Sequence, residues 1–487
     1  MNISQDKPFL SIQPYRGTRD FFPDLQRKRN RLFAVWKAAL AGFGFEEYDA
    51  PLLEPLELYA AKSSEEIVAT QLYSFVDRGE RKVALRPEMT PTLARMVAAR
   101  LKQLPRPIRW FSVPRCMRYE RPQRGRLREF DQLNVDIFGG HPFDEDLEIL
   151  LVCAQIMKEL GAGPGSFEIR LNDRRLINDF LVSGALLHPQ QVKAAIALLD
   201  RRDKIPAAEF GELWESMASA GERSDAAQKM DAAAFIKLQA DFLQNFTAAA
   251  SACQAMDSPE QTAQILSALR DQGINLSEIG VNSLARLSQL KTCTQNLVPD
   301  LRLVVDLGIA RGFDYYTGIV FEIFDTHPEN KRALFGGGRY DNLVGAFANE
   351  KLPGVGFGVS DVSLLNFCEV HEIELDSGPT TDVAVLRFSE EDRMLALDLA
   401  AKLRLAGLKC LSPITEQKFG KQIQAAEKAG ATIIAFRGEE EQRNNTFAIK
   451  WLATGEQETD LPMTQESFTS LAERLNAHRY RLSQKDR

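Results

Sequence analysis

Residues 108–140, IRWFSVPRCMRYERPQRGRLREFDQLNVDIFGG, read as a long strand, a basic loop and a second long strand. Between positions 115 and 128 lie Arg115, Arg118, Arg121, Arg124, Arg126 and Arg128, opposed within that span by Glu120 alone. A charge run is ordinarily a solvated loop tip. Two features point further here. The cations are all arginine, whose planar fork matches phosphate oxygens. The flanking strands would also hold the loop over a sheet, where a side chain can be placed accurately. The loop is therefore expected to bind a polyanion such as ATP or RNA.

Upstream, residues 25–44 (LQRKRNRLFAVWKAALAGFG) carry Leu32, Phe33, Val35, Trp36 and Leu40 at helical spacing, with Gly42 and Gly44 as the stop. FEEYDAPLLEP follows as an extended segment. QLYSFVDRGERKVALRPE reads as a hairpin around Asp77-Arg78-Gly79, and PTLARMVAARLKQL as a helix. Downstream, 144–161 is helical. Residues 175–300 then turn Ala-, Leu- and Gln-rich with helical periodicity, which predicts a mostly helical insertion. Strand-like sequence resumes at LRLVVDLGI and GIVFEIFD and continues to ALFGGGRYDNLVGAF and LPGVGFGVSDVSLL, so 45–170 and 300–365 are expected to form one mixed sheet. Beyond it, DVAVLRF, LKCLSP and ATIIAFRG alternate with two helical segments, the pattern of a small α/β domain. The chain length of 487 gives a prior of about three domains.

The hydrophobic content of 44% and charged content of 26% are those of a globular chain, which excludes a disordered or fibrous one. A formal net charge of −7 argues weakly against a protein that coats DNA nonspecifically, without excluding a local basic site. The six cysteines form no CxxC pair, so a zinc ribbon or thioredoxin motif is not expected, and free thiols in a reducing compartment are. The start lacks the apolar core of a signal peptide, and no uncharged apolar run reaches membrane-spanning length. A cytoplasmic protein is the expectation.

Three further segments carry chemistry. RGFDYYTG, 311–318, puts an Arg, an Asp and two Tyr within six residues, which are expensive to bury together unless they bind a ligand or one another. GGGRYDNLVG, 336–345, has three glycines before a stretch read as helical. They suit a flexible turn, or a close backbone approach to a ligand. In LRPEMTPTLAR, 85–95, Pro87 and Thr90 bracket a helix start, and Glu88 is either a cap-region carboxylate or a group that captures an ammonium.

Together these segments resemble the class II aminoacyl-tRNA synthetases, and among them the histidyl-tRNA synthetase family, over nearly the whole chain. YRGTRDFFP and the helix through GFEEYDAPLLEP resemble the opening and motif 1, with Pro51 as its proline; FSVPRCMRYERPQRGRLREFDQLNVDIFG resembles motif 2. RGFDYYTGIVFE and FGGGRYDNLVG resemble the two histidine-specific signatures. The resemblance implies an α+β catalytic core over 1–172 and 296–370 with a mixed, mainly antiparallel sheet. It also implies a helical insertion over 173–295, set over the acceptor stem, and an α/β anticodon-binding domain over 378–487. It implies a histidine–tRNA ligase that uses L-histidine, ATP with Mg²⁺, and tRNA(His), and that works as a homodimer. Motif 1 supplies the interface, and the apolar face of 25–44 is expected near it. No resident metal and no membrane association are implied.

Residue by residue, the resemblance assigns Arg118 and Arg311 to the α-phosphate and Glu120 to the adenine. Asp136 and Tyr316 flank the imidazole with Tyr315 in support, and Arg311 also borders the histidine site. Glu88, Thr90 and Gln132 hold the α-amino group. Arg121, Arg124 and Arg126 face the tRNA. Asp136 stands where the family often has Glu; it is one methylene shorter, so either a direct or a water-mediated ring contact is open. In PGVGFGVSDVSLLNF, Ser363 stands where motif 3 carries an Arg for the γ-phosphate, and Val362 where its acidic neighbour is expected. Arg339 and the motif 2 loop are candidate substitutes. The departure also fits a catalytically impaired regulatory or histidine-sensing relative. Such regulatory subunits lack the C-terminal domain and usually lose RGFDYY, both of which are present in this sequence.

Overall fold

The structure, a computed structural model, describes residues 11–60, 70–199, 201–202, 205–220, 223–256, 258–309, 315–376, 378, 381–414 and 417–485. It forms two compact units, one built from Arg29–Leu375 with the chain up to Asp20, the other from Phe21–Lys28 and the chain from Asp376 onward.

The first unit is organised by a nine-stranded sheet. Its strands, in chain order, are β1 (Glu46–Glu47), β2 (Ile108–Ser112), β3 (Arg115–Met117), β4 (Glu129–Phe138), β5 (Phe167–Asp173), β6 (Arg302–Val305), β7 (Ile319–Asp325), β8 (Ala333–Tyr340) and β9 (Gly354–Ser360). The spatial order is β1-β2-β4-β9-β8-β7-β5-β6, with β3 continuing β2's pairing along β4. Only β1–β2 and β5–β6 are parallel; the other pairs run antiparallel, which makes the sheet mixed and mainly antiparallel as the sequence implies. A parallel pair cannot be closed by a short turn and needs a crossover of a dozen residues or more. The helices between Arg174 and Leu297 are that crossover for β5 and β6. They bury Trp214 against Phe242, rings stacked at 5.9 Å, in an apolar core continuous with the sheet's own.

Helix α1 (Pro23–Gly42) buries Leu32, Val35, Trp36, Ala39 and Leu40 in that core. Burying a side chain of this size is worth about 1.5–3 kcal/mol, so this face anchors the helix to the sheet's core. The predicted hairpin forms between Ser74–Val76 and Lys82–Leu85, and Leu53–Pro55 adds a third strand.

The Gly336-Gly337-Gly338 run departs from its reading. It lies inside β8, and only a short 3₁₀ turn, Val344–Ala346, follows. Packing requires glycine at Gly338, where a Cβ would stand 2.9 Å from the Tyr316 ring and 2.7 Å from the Ile319 carbonyl, while Gly336 and Gly337 line a cleft, as a close backbone approach to a ligand requires.

A buried ion network ties the two ends of this unit together. Helix α4 (Asp361–Val370) begins with Asp361, whose carboxylate accepts from the Asp131 amide at 3.0 Å and from Arg19 at 2.6 Å. Asp131 in turn takes a two-pronged bond from Arg29, at 2.7 and 2.9 Å, and a longer one from Arg115. Arg115, the first cation of the basic run, is thereby committed to structure.

The second unit is the α/β domain the alternation predicts. Cys410–Leu411, Thr381–Val385 and Ala431–Phe436 run parallel, and the antiparallel pair Thr446–Trp451 and Gln457–Pro462 completes a five-stranded sheet. That last hairpin is an addition to the sequence reading. Among the described residues no helix is long and apolar enough to cross a membrane, and all six cysteines are free thiols.

Candidate active site

Side chains alternate across a strand, and β4 uses the alternation to divide two environments. Leu133, Val135 and Ile137 enter the apolar core, while Gln132, Asn134 and Asp136 line a cleft of about 420 Å³. Room for the polar row comes from the neighbouring strand. Gly356 on β9 is the register partner of Asp136, and a Cβ there would stand 2.2 Å from Asp136 Oδ1.

The same cleft gathers Glu88, Thr90, Arg118, Glu120, Arg126, Tyr315 and Tyr316 from loops that are distant in sequence. Glu88 precedes the helix Thr90–Ala99, whose N-cap position is taken by Met89. Glu88 is buried, and its carboxylate accepts from the Tyr315 hydroxyl at 3.2 Å. A polar chain crosses the floor: Gln132 Nε2 donates to Asn134 Oδ1 at 2.7 Å, and Asn134 Nδ2 reaches Thr90 Oγ1 at 3.5 Å.

Asp136 is fully buried. The Tyr340 hydroxyl donates to its Oδ1, and its Oδ2 has no hydrogen-bond partner among the described residues. Burial pushes this carboxyl up to about 7, with the negative charge of Glu88 adding to the effect and the Tyr340 bond opposing it. A half-satisfied buried carboxylate is costly to maintain in a folded chain, and an N–H donor entering the cleft would complete it.

At the other end, Arg118 donates through Nε to the Pro87 carbonyl at 2.9 Å and lies over the Phe130 ring at 5.2 Å. The fork is thus held from one side, and its Nη1 makes only a 3.9 Å contact with Glu120. Arg126 approaches Glu120 at 3.5 Å.

Some expected residues lie elsewhere. Arg339 does not line the cleft. It is buried, at 3% exposure, and its guanidinium bonds Asp146 at 2.7 Å, Glu145 at 2.9 Å and the Pro142 carbonyl at 2.8 Å, which pins the helix Pro142–Leu160 to β8. Its Nη1 has no hydrogen-bond partner among the described residues, but it is buried away from the cleft. Arg121 is outside the cleft on an exposed turn, and Arg124 lines a second, adjoining cleft. Arg311 lies outside the described residues. Asn134, Tyr340 and Glu322 were not singled out from sequence. The alternation Gln132, Asn134, Asp136 in DQLNVDIF carries the signal for Asn134; nothing local marks Tyr340, which meets Asp136 only through the sheet.

A sheet of this topology that sets a held arginine beside a polar cleft is the catalytic architecture of the class II aminoacyl-tRNA synthetases. The histidyl-tRNA synthetase family profile matches residues 17–362, and the anticodon binding domain profile matches 382–476. The histidine–tRNA ligase of Leptospira biflexa is 40% identical over 450 residues, covering 92% of this chain and 95% of that one. The histidine–tRNA ligase of Opitutus terrae is 36% identical over 93% of this chain and 97% of its own. The crystal structure of histidyl-tRNA synthetase from a Nostoc species superposes with a TM-score of 0.73 at 25% identity, covering 96% of this chain and all of that one. The chain belongs to the histidyl-tRNA synthetase family.

Replacing Arg339 leaves Glu145 buried without its counter-charge and Asp146 with Arg286 alone, a loss of about 3–5 kcal/mol. Arg339→Ala should therefore lower the thermal midpoint sharply while the protein that remains folded keeps its affinity for ATP. An unmoved melting curve together with weakened ATP binding would return Arg339 to the nucleotide site.

Proposed function

We propose that this chain activates L-histidine with ATP and transfers it to tRNA(His), and that the cleft beside β4 is where both steps occur. The single observation that carries the reading is the pairing, in one cavity, of a half-satisfied buried carboxylate with an arginine held for an anion. Imidazole offers one N–H donor and one acceptor. Asp136 Oδ2 takes the N–H, and the tyrosine hydroxyls of Tyr315 and Tyr316 border the rest of the ring. Glu88, Thr90 and Gln132 receive the α-ammonium.

The histidine carboxylate then attacks the α-phosphorus of ATP. A new O–P bond forms, the bond to the β-phosphate oxygen breaks, and pyrophosphate leaves. Negative charge accumulates at the α-phosphate, so a cation fixed there lowers the barrier. Arg118 holds that position, and Arg311 is assigned to it from the opposite side. Glu120 is assigned to the adenine. In the second step a ribose hydroxyl at the tRNA end attacks the activated carbonyl and releases AMP. Arg121, Arg124 and Arg126 are assigned to the tRNA, and the second unit to its anticodon.

Mg²⁺ is expected to arrive with ATP. No cluster of three or more His, Cys, Asp or Glu residues that could cage an ion occurs among the described residues, whereas Glu120 and Glu322 line the cleft singly. That suits an ion held mainly by phosphate oxygens with one or two protein carboxylates. Bound there, it would neutralise phosphate charge.

A cytoplasmic homodimer is the proposed working state. Exposed apolar side chains at Leu52, Leu53, Phe75 (50%) and Val76 (59%), contributed by the three-stranded sheet and the segment before it, support a covered face there. Sedimentation equilibrium should give twice the chain mass, and Val76→Asp should shift it toward the monomer. A wild-type monomer at micromolar concentration rejects the proposal.

Purified protein should catalyse histidine-dependent ATP–pyrophosphate exchange. Arg118→Ala should reduce its kcat by about a hundredfold or more, the usual loss when one charge-stabilising donor is removed. Exchange at wild-type rate in that variant would take Arg118 off the α-phosphate.

The acidity of Asp136 sets a pH profile. Binding the ring N–H favours the ionised carboxylate, so kcat/KM for histidine should rise as pH climbs through about 7 and level above it. Asp136→Asn cannot ionise and should keep only the limb due to free histidine's own imidazole. A fall in kcat/KM across the same window would mean that the protonated carboxyl donates to the ring.

A further inference from the structure

The cleft is electrostatically polarised along its length. Asp136 and Glu88 mark the amino-acid end, whereas Arg118 and Arg126 come from the basic loop, with Glu120 at 3.9 and 3.5 Å from them. There the cavity continues into a second cleft of about 360 Å³, with Gly125, Arg126, Ala333, Leu334 and Ser363 common to both. A nucleotide whose α-phosphate lies at Arg118 has its next two phosphates repelled from the acidic end and drawn toward the basic one.

Four cations line this second cleft: Arg124 and Arg126 from the loop before β4, and Lys331 and Arg332 from the loop joining β7 and β8. They are not equivalent. Arg124 is engaged with Glu329 at 2.8 Å and with Asn366 of α4 at 2.6 Å, and Asn366 reaches on to Asn330 at 2.6 Å. This set of bonds fixes the β7–β8 loop against α4. It also neutralises Glu329, the sole carboxylate lining the cleft among the described residues. Arg126 is shared with Glu120. Lys331 and Arg332 are exposed and, among the described residues, engage no hydrogen-bond or ion-pair partner. Ser363, also on this wall, offers only a hydroxyl. It is spent within the first turn of α4, bonding Ser360 at 3.0 and 3.1 Å.

We propose that Lys331 and Arg332 hold the β- and γ-phosphates of ATP and the pyrophosphate released from them, supplying from the β7–β8 loop the positive charge that Ser363 does not. The assignment rests on the ligase reading of the cleft. It adds a phosphate-positioning role for two residues outside the motifs that identify the family.

The test is steady-state ATP–pyrophosphate exchange on the full chain. Lys331→Ala/Arg332→Ala should raise the KM for ATP and the KM for pyrophosphate at least tenfold each, with the KM for histidine within twofold of wild type. Arg332→Lys should retain most of the ATP affinity. Ser363→Arg, added to the double variant, places a cation back on the same wall and should bring the ATP KM down again. An ATP KM unchanged in the double variant overturns the proposal. So does an unchanged ATP KM with a raised KM for tRNA in aminoacylation, which would assign the two cations to the tRNA backbone. A uniform rise in all KM values with a lowered melting point would show a structural defect and also overturn it; Arg332→Gln alone, on an exposed loop, guards against misfolding of the double variant. Wild-type protein without any exchange would reject the ligase reading itself and, with it, this assignment.

Discussion

Three polar side chains in a row on a central strand are tolerable only if nearly every atom finds a partner, because a buried polar group left unpaired costs about 1–3 kcal/mol. On β4 the condition is met unevenly. Gln132, Asn134 and Thr90 satisfy one another, and Tyr340 satisfies half of Asp136. The remaining carboxylate oxygen is, in this row, the fully buried side-chain atom without a hydrogen-bond partner among the described residues. The apolar residues between these three lock the strand's register, since a slip by one position would turn Leu133, Val135 and Ile137 into the cleft and the polar row into the core. The neighbouring glycine strand enforces the same register from the side, because only an absent Cβ leaves space for Asp136. Core packing and ligand chemistry are therefore set by one alternation.

The arginines of this unit show that residue type alone does not tell binding from scaffolding. Arg19, Arg29 and Arg115 converge on two buried aspartates, and Arg339 on two buried acidic residues of one helix. These pairs hold elements together, and none of the four arginines lines the cleft. Arg118 differs in being held through one nitrogen and an aromatic face. What separates the two groups is how many of the five donors the protein itself consumes, a quantity that only the folded geometry fixes.

For the same reason the sequence was a good guide to architecture and a partial one to the site. The strand–loop–strand reading of 108–140 and the alternating C-terminal unit follow from local patterns with periods of two or 3.6, which persist in the structure, whereas the mainly antiparallel pairing was implied by the family resemblance. Arg339, and the glycine run read as a turn, depart from the sequence reading because their partners are non-local: Glu145 and Asp146 are nearly two hundred residues from Arg339, and the atoms that exclude a Cβ at Gly338 belong to β7 and its lead-in. The total charge of −7 misled differently. It averages over a surface, whereas a phosphate is sensitive to charges within about a Debye length, roughly 8–10 Å.

Asp136 makes the shortened acidic side chain a question of rigidity more than reach. A glutamate has one more rotatable bond and can follow a ring that sits imperfectly. Here the aspartate is fixed at Oδ1 by Tyr340, whose ring also packs edge-on against Tyr315 at 5.7 Å and lies at 6.5 Å from Tyr316. The acceptor proposed for the imidazole is thus built into the same aromatic cluster that forms the pocket wall. A fixed acceptor discriminates harshly, because an amino acid of similar shape without the N–H leaves Oδ2 buried and unpaired, and sites of that kind reject such analogues by large factors. It follows that loosening Tyr340 should damage selectivity more than affinity, since the carboxylate would remain present but free to turn toward whatever donor arrives.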